Sequence, residues 1–562
     1  MTMPGRVTWI AAAASAVALA AAVTSLWHDS PIVDEVPHLF AGYSYLRTGS
    51  LRLNPEHPPL VKDLAALPLL FLYLDDKALL PRFTGVADED QWTQGTRFLE
   101  ANGTMRLMRA ARLPLLIFYM GAAWLVFLWG RVRYGEATGL LAFLLFTFSP
   151  TVLAHARFVT MDVAAAAGTM ATIAAFLAHL RGPTRRTAAV AVAALGVALL
   201  IKFSAALLVV WMLMAGALGR GWRGVRAAAV IAALSGLLVV WPFYVLHMAG
   251  DSAREQRAHT QEMLERTLGE DAASRAALWA SDKPLLRAAS QYATGLLLVA
   301  ERSGDRHPVF FFGKTRPSGN PWYFPAVYLL KETLGWWLLV VVALMGSAGL
   351  VARGRPRLDR GFLDRHRETL ALLLWLGLYW ALCLRATLNL GVRHLLPTYP
   401  VAALLVAAAI ASFLRPRSQA RPEWRAVWVL AAYHVLATLW VHPSYLAFFN
   451  ALAGGPDGGR RYAVDSNLDW GQDLERLAAW TRERGIDRIS VDYFGGDAPR
   501  RVLPQAVGLS EKDGTRDGWI AVSVTTLQQS LGSDARGYAW LADQPPDAVI
   551  GHSIAVWNRT RP

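Results

Sequence analysis

Two adjacent carboxylates, Asp34 and Glu35, follow the first apolar stretch of this 562-residue chain, inside the short segment Pro31 to His38. A carboxylate just outside a membrane helix is suited to general-base work, because partial loss of water raises its affinity for a proton. Asp34 also precedes Leu39, Tyr43 and Leu46 and so fits a helix cap, and the pattern alone leaves both roles open. Further on, Asn54-Pro55-Glu56-His57-Pro58-Pro59-Leu60-Val61-Lys62 packs prolines, a histidine, a carboxylate and an amine together. Proline restricts the residue before it to extended backbone, so the His57 ring is held rather than free. Lys62, at the start of the next apolar helix, is placed to meet a lipid phosphate at headgroup level.

Three more positions pair the same residue types with helix ends. Ala156 to Asp162 brings an arginine (Arg157), a hydroxyl (Thr160) and a carboxylate together, and Asp162 either does chemistry or complements the helix dipole, worth about 0.3–1 kcal/mol. Arg393 and His394 precede another helix, where a fixed guanidinium suits bidentate phosphate binding. Lys202 falls at a turn between apolar runs. The alternative for these cations is to snorkel to the lipid interface.

The elements that position these groups are membrane spans. Hydrophobic residues make up 54% of the chain and charged residues 17%, against about 25% charged in an average globular protein. Eleven stretches are long and apolar enough to be read as spans: 7–27, 113–130, 137–154, 163–180, 187–201, 203–219, 227–246, 333–352, 369–384, 395–414 and 426–441. The first is read as an uncleaved helix, because it is longer than a signal-peptide core and further spans follow. The run 187–219 reads as two helices turning near Lys202. Only then do the arginine clusters at 131–133, 181–186, 220–226, 353–367 and 415–425 share one side, as the positive-inside rule requires. The amino terminus is accordingly expected in the cytoplasm, with segments 28–110, 248–322 and 443–562 on the opposite face.

The net charge of +14 is therefore an orientation signal, and nucleic-acid binding is not expected. A single cysteine, Cys383, excludes an internal disulfide and a cysteine-based metal site. From residue 443 the chain changes character. A helix over 473–484 and strands over 488–494, 519–524 and 548–557 predict a small extracytoplasmic α/β domain following a membrane domain of residues 1–442. Asp465 to Asp473 superficially resembles a calcium loop but fails it, with glycine at position seven and Arg476 at position twelve. No Walker lysine loop, dinucleotide fingerprint or zincin motif occurs, which hints at a lipid-linked rather than a nucleotide donor.

The motifs Asn54-Pro55-Glu56-His57-Pro58-Pro59-Leu60, Phe312-Gly313-Lys314 with Trp322-Tyr323-Phe324-Pro325, Gly391-Val392-Arg393-His394-Leu395-Leu396-Pro397 and Asp465 to Asp473 occur in order, all on the expected outer side. With Asp34-Glu35 after the first helix, the chain resembles the superfamily of protein O-mannosyltransferases and lipid A aminoarabinose transferases, which use polyprenyl-phosphate sugars. The resemblance implies a mainly α, polytopic C-type glycosyltransferase fold and inverting sugar transfer to a hydroxyl of a protein, lipid or glycan on the extracytoplasmic face. It makes Asp34 the general base and Glu35 its partner, Arg393 the cation for the leaving phosphate, and Asp162 an orienting carboxylate. His57, Lys62, Lys202 and His394 become further substrate or lipid-phosphate contacts, although His394 stands where the family usually has tyrosine. No cofactor is implied beyond the lipid-linked sugar, which is a substrate. A metal held by Asp34 and Glu35, as in the oligosaccharyltransferase branch, is the less favoured reading. The alternatives of another class are a transporter or flippase of a lipid-linked sugar, and a scaffold whose outer domain recruits partners.

Overall fold

The computed structural model describes residues 5–76, 91–267, 271–304, 307–354, 360–414 and 422–559. Arg355, Arg357, Arg415, Arg417 and Arg421 of the expected arginine clusters lie outside these residues. All eleven apolar stretches are helical. Six helices among the described residues are long and apolar enough to cross a membrane alone, and a seventh crossing results if Tyr323–Lys331 and Leu334–Gly349, bent by 111°, form one span. One of the six, Phe203–His247, has 45 residues. At 1.5 Å per residue a straight helix of that length would span about 68 Å, more than twice the hydrocarbon thickness, so it is not one straight crossing. It breaks at Arg220 and Gly221, where Gly221 takes a φ of 55°. Arg220 is at the break itself, and a Cβ on Gly216 would meet the Gly224 carbonyl oxygen at 2.6 Å, so the two halves fold back on each other at the turn where Arg220, Arg223 and Arg226 are expected. The chain is an integral membrane protein.

Two local features differ from the expected spans. The stretch 137–154 divides into Glu136–Thr147 and Pro150–His155, because Pro150 opens a new helix and Ser149 Oγ caps it through the Val152 N–H at 3.3 Å. Between Arg185–Ile201 and the turn Phe203–Ala206, Lys202 is extended, with a ψ of 137°, so the helices reverse there.

In the segment after the first span, helix Glu35–Thr48 lies against helix Leu60–Ala66 so tightly that a Cβ on Gly42 would meet the Lys62 carbonyl oxygen at 2.2 Å. The Phe312-Gly313-Lys314 motif is the turn of a hairpin between β1 (Val309–Phe311) and β2 (Lys314–Arg316), with positive φ at Phe312 and Gly313. Its Thr315 N–H donates to the Gly532 carbonyl at 2.9 Å and ties the hairpin to the C-terminal domain.

That domain holds a five-stranded sheet of β3 (Ile489–Asp492), β4 (Ala506–Gly508), β5 (Trp519–Ser523), β6 (Ala548–Ile550) and β7 (Ile554–Asn558), in the order β4-β3-β5-β7-β6. Side chains alternate between faces along each strand. Ala521, Ile554 and Val556 pack with Leu474 and Leu477 of helix Leu474–Glu483, whereas Ile520, Val522, Ala555 and Trp557 pack with Leu527 of helix Val524–Leu531. The stretch 548–557 is thus two antiparallel strands rather than one, turning at Gly551 and His552, both at positive φ. The segment from Tyr445 to Trp470 belongs to the core of the membrane part, where Tyr445, Leu446, Phe449, Leu468 and Trp470 are buried among span residues. The domain's own core begins at Leu474.

Candidate active site

Arg393 lies on the 3-10 turn Val392–Thr398 and is the hub of the site. Its Nη1 donates to Asp34 Oδ2 at 2.9 Å and reaches Asp162 Oδ2 at 3.4 Å. The other oxygen of Asp162 accepts from Lys202 Nζ at 2.6 Å. Four side chains from four distant segments therefore form one alternating row, Asp34–Arg393–Asp162–Lys202. Burial differs along it: the Asp162 side chain is 3% exposed and that of Asp34 26%. Of the two carboxylates Asp34 is thus the more accessible. The Arg393 guanidinium carbon lies over the Trp470 ring, 4.2 Å from its centroid, and among the described residues its Nε has no hydrogen-bond partner. His394 sits close enough to sense Arg393, Lys202 and Asp162, with its ring 6.3 Å from that of Phe324.

His38 completes the Asp34 side. One turn of helix Glu35–Thr48 separates the two residues, which places them on a common face. Its Nδ1 pairs with the Val159 carbonyl at 2.9 Å, and burial holds its pKa down at about 4 against the opposing pull of Asp34, so the ring is neutral at pH 7. The His57 ring meets it edge-on at 5.2 Å and is likewise pushed well below its ordinary value by burial. Sequence reasoning gave His38 no role, although its i, i+4 spacing from Asp34 was the available signal.

Two expected site residues are engaged elsewhere. Glu35 is fully buried and accepts four hydrogen bonds: from Arg112 Nε at 2.8 Å, Arg112 Nη2 at 2.6 Å, the Ile32 N–H at 3.1 Å and the Val159 N–H at 2.8 Å. Successive helical residues point about 100° apart. Asp34 therefore faces the site while Glu35 faces the interior, where it anchors both the loop before Asp34 and the segment before Asp162. Lys62 is also fully buried, and its Nζ donates to Tyr45 Oη at 2.8 Å and to the carbonyls of Asn54 at 2.7 Å and His57 at 2.8 Å. It clamps the proline turn that carries His57 instead of reaching a lipid headgroup. Burial lowers its pKa to about 7. Arg157, expected beside Asp162, is buried against Asp29, whose other oxygen accepts from Arg476 Nη2 of the C-terminal helix at 2.6 Å.

Glutamine at position 35 would keep one acceptor oxygen and turn an NH2 group toward the Arg112 guanidinium. Breaking one side of a buried ion pair costs about 3–5 kcal/mol. Glu35→Gln is therefore expected to lower the thermal unfolding midpoint in detergent by several degrees while leaving turnover below the transition intact. Unchanged unfolding with lost turnover would return Glu35 to the chemistry.

Among the described residues, no three histidine, cysteine, aspartate or glutamate side chains converge as a metal-binding set. The site is a partly exposed carboxylate with two cations in the same row, at the ends of several apolar helices. Residues 103–246 match the profile of the dolichyl-phosphate-mannose-protein mannosyltransferase family. The match takes in Asp162 and Lys202 and about a quarter of the chain, and it falls in the superfamily that the motifs resemble. No curated protein matches the sequence. Among solved structures, the chain is similar to ArnT from Cupriavidus metallidurans bound to undecaprenyl phosphate, at 13% identity over 98% of each chain with a TM-score of 0.43. It is also similar to the archaeal oligosaccharyltransferase AglB from Archaeoglobus fulgidus in complex with an inhibitory peptide and a dolichol-phosphate, at 12% identity over 95% of this chain and 75% of that one, with a TM-score of 0.45.

Proposed function

We propose that the protein is an integral-membrane glycosyltransferase that moves a sugar from a polyprenyl-phosphate carrier to a hydroxyl acceptor on the extracytoplasmic face, with inversion at the sugar carbon. The observation that carries this reading is the Asp34–Arg393–Asp162–Lys202 row, in which a substrate-accessible carboxylate stands next to the cations that a leaving phosphate needs. Asp34 takes the proton of the acceptor hydroxyl as its oxygen bonds to C1 of the sugar. The bond between C1 and the phosphate oxygen breaks, and its electron pair leaves with the lipid phosphate. Arg393 meets that charge, with Lys202 behind Asp162 adding to the positive field, in a setting where fixed donors act more strongly than in water. Asp162 holds both cations in place. The motif resemblance and the family match to residues 103–246 support the same class of reaction.

The direct test supplies membranes containing the protein with radiolabelled sugars on polyprenyl phosphate and measures label in any acceptor. Transfer identifies the donor sugar and the acceptor class. Movement of intact lipid-linked sugar across the bilayer with no new glycosidic bond would instead establish the transporter reading. Transfer is also expected to persist in a chelator of divalent ions, because both site carboxylates already face Arg393 or Lys202 and a metal would have to displace them. Loss of transfer in the chelator, restored by one added metal, would overturn that expectation.

A further inference from the structure

We propose that Asp465 is a second carboxylate of the reaction site and binds a hydroxyl group of the substrates. The proposal rests on the glycosyl-transfer reading above. Of the three aspartates in the Asp465–Asp473 motif, two face the C-terminal domain: Asp469 accepts from the Thr525 N–H at 2.8 Å, and Asp473 accepts from Ser553 Oγ at 2.7 Å and pairs with Arg476. Asp465 instead lies in the field of both Arg393 and Asp34.

Its backbone is held at a φ of 58°, a left-handed conformation that is uncommon outside glycine and least costly for asparagine and aspartate. The surroundings enforce it. The Asp465 N–H donates to Thr525 Oγ1 at 2.9 Å. The next two residues are fastened to the turn that carries Arg393: Ser466 Oγ donates to the Leu390 carbonyl at 2.9 Å, and the Val392 N–H donates to Asn467 Oδ1 at 2.9 Å. A Cβ on Gly391 would meet Ser466 Oγ at 2.1 Å, so this approach needs glycine. Strained backbone retained next to reactive groups is a mark of functional sites.

The carboxylate is also incompletely used. One oxygen accepts the Ser466 N–H at 2.5 Å, and among the described residues no side chain donates to the other. Burial pushes its pKa up to about 7, although Arg393 opposes the rise. A carboxylate oxygen on a partly buried aspartate, with no side-chain donor among the described residues and beside a site for sugar transfer, matches a hydroxyl on either the donor sugar or the acceptor.

The test compares wild type, Asp465→Asn and Asp465→Gly on donors and acceptors lacking one hydroxyl at a time. Both variants tolerate the left-handed backbone, and unchanged thermal unfolding confirms their fold. A hydrogen bond to a charged group is worth about 10- to 150-fold in kcat/KM. Wild type is expected to lose that much when the bonded hydroxyl is removed, and the variants are expected to lose it on intact substrate and little more on the deoxygenated one. Non-additivity confined to donors places the hydroxyl on the transferred sugar, and confined to acceptors places it there. Additive losses at every position on both substrates would overturn the proposal while leaving glycosyl transfer standing. Wild type without transfer from any donor would overturn both.

Discussion

Asp34→Asn is expected to lower kcat by about 10²–10⁴-fold, the range that a positioned general base contributes. The replacement keeps shape and still offers Arg393 an acceptor oxygen at the position of the 2.9 Å contact, so the row of charges survives with one member neutralised. Two effects then oppose each other. Loss of the base removes the proton acceptor for the attacking hydroxyl. Loss of the negative charge frees Arg393 to meet the lipid phosphate more fully, which favours donor binding. The first acts on the transition state alone and the second mainly on the ground state, so kcat falls while KM for the donor holds or decreases. Asp34→Glu tests placement: one added methylene moves the carboxylate by about 1 Å, and such a shift costs about 10²-fold. Single-turnover transfer with saturating donor reads both. More than a tenth of wild-type turnover in Asp34→Asn would remove Asp34 as the base.

The residues that make up the row were legible in the sequence as candidates because each is an ionisable group at the end of an apolar stretch, although a helix cap, a helix dipole or the lipid interface could also account for each. What the sequence did not show is which of them meet. Asp34 and Glu35 are neighbours in the chain, but the helical turn sends one to the site and the other to Arg112, 77 positions away. Lys62 has the type and depth of a phosphate ligand, yet the Asn54 and His57 carbonyls capture its ammonium, and proline spacing cannot reveal where a four-carbon stem ends. The Asp29–Arg157–Arg476 cluster joins three segments that share no local pattern, so only the folded chain displays it. The apolar stretches follow from composition, although six helices, or seven with the bent pair, rather than eleven are long and apolar enough to cross among the described residues, and the reversal at Lys202 lies where the arginine clusters require it. In the C-terminal domain short apolar runs between turn residues made the strands readable, and the structure sends Ala521 and Val556 to one face and Ile520, Val522 and Ala555 to the other. The turn at Gly551 and His552 was not, because an apolar run continues on both sides of it. Trp470 lies inside the Asp465 to Asp473 motif, whose spacing says nothing of what its ring meets. Its ring lies under Arg393 and is 1% exposed, which assigns it to holding the guanidinium.

Arg393→Lys is expected to lower kcat by about 10²–10³-fold, comparable to removing a preorganised donor from an oxyanion site. Charge is conserved in this variant, so the loss measures geometry. The guanidinium reaches both Asp34 and Asp162 through Nη1 while its carbon lies over the Trp470 ring, and an ammonium on a shorter stem does neither. Asp162 keeps Lys202 as a partner, so its position survives, whereas Asp34 loses the one cation seen to contact it among the described residues. Two explanations of the rate loss then separate. If Arg393 stabilises charge on the departing phosphate, a donor whose leaving group needs less help, such as the same sugar on polyprenyl pyrophosphate, loses less than the monophosphate donor. If Arg393 only orients Asp34, both donors lose equally, because proton removal from the acceptor is common to both. Arg393→Met calibrates the scale by removing the charge while keeping an apolar stem over Trp470, and it is expected to fall below Arg393→Lys with the monophosphate donor. Equal rates for the lysine and methionine variants would mean that charge at this position does nothing for departure of the phosphate, and the leaving-group role would pass to Lys202.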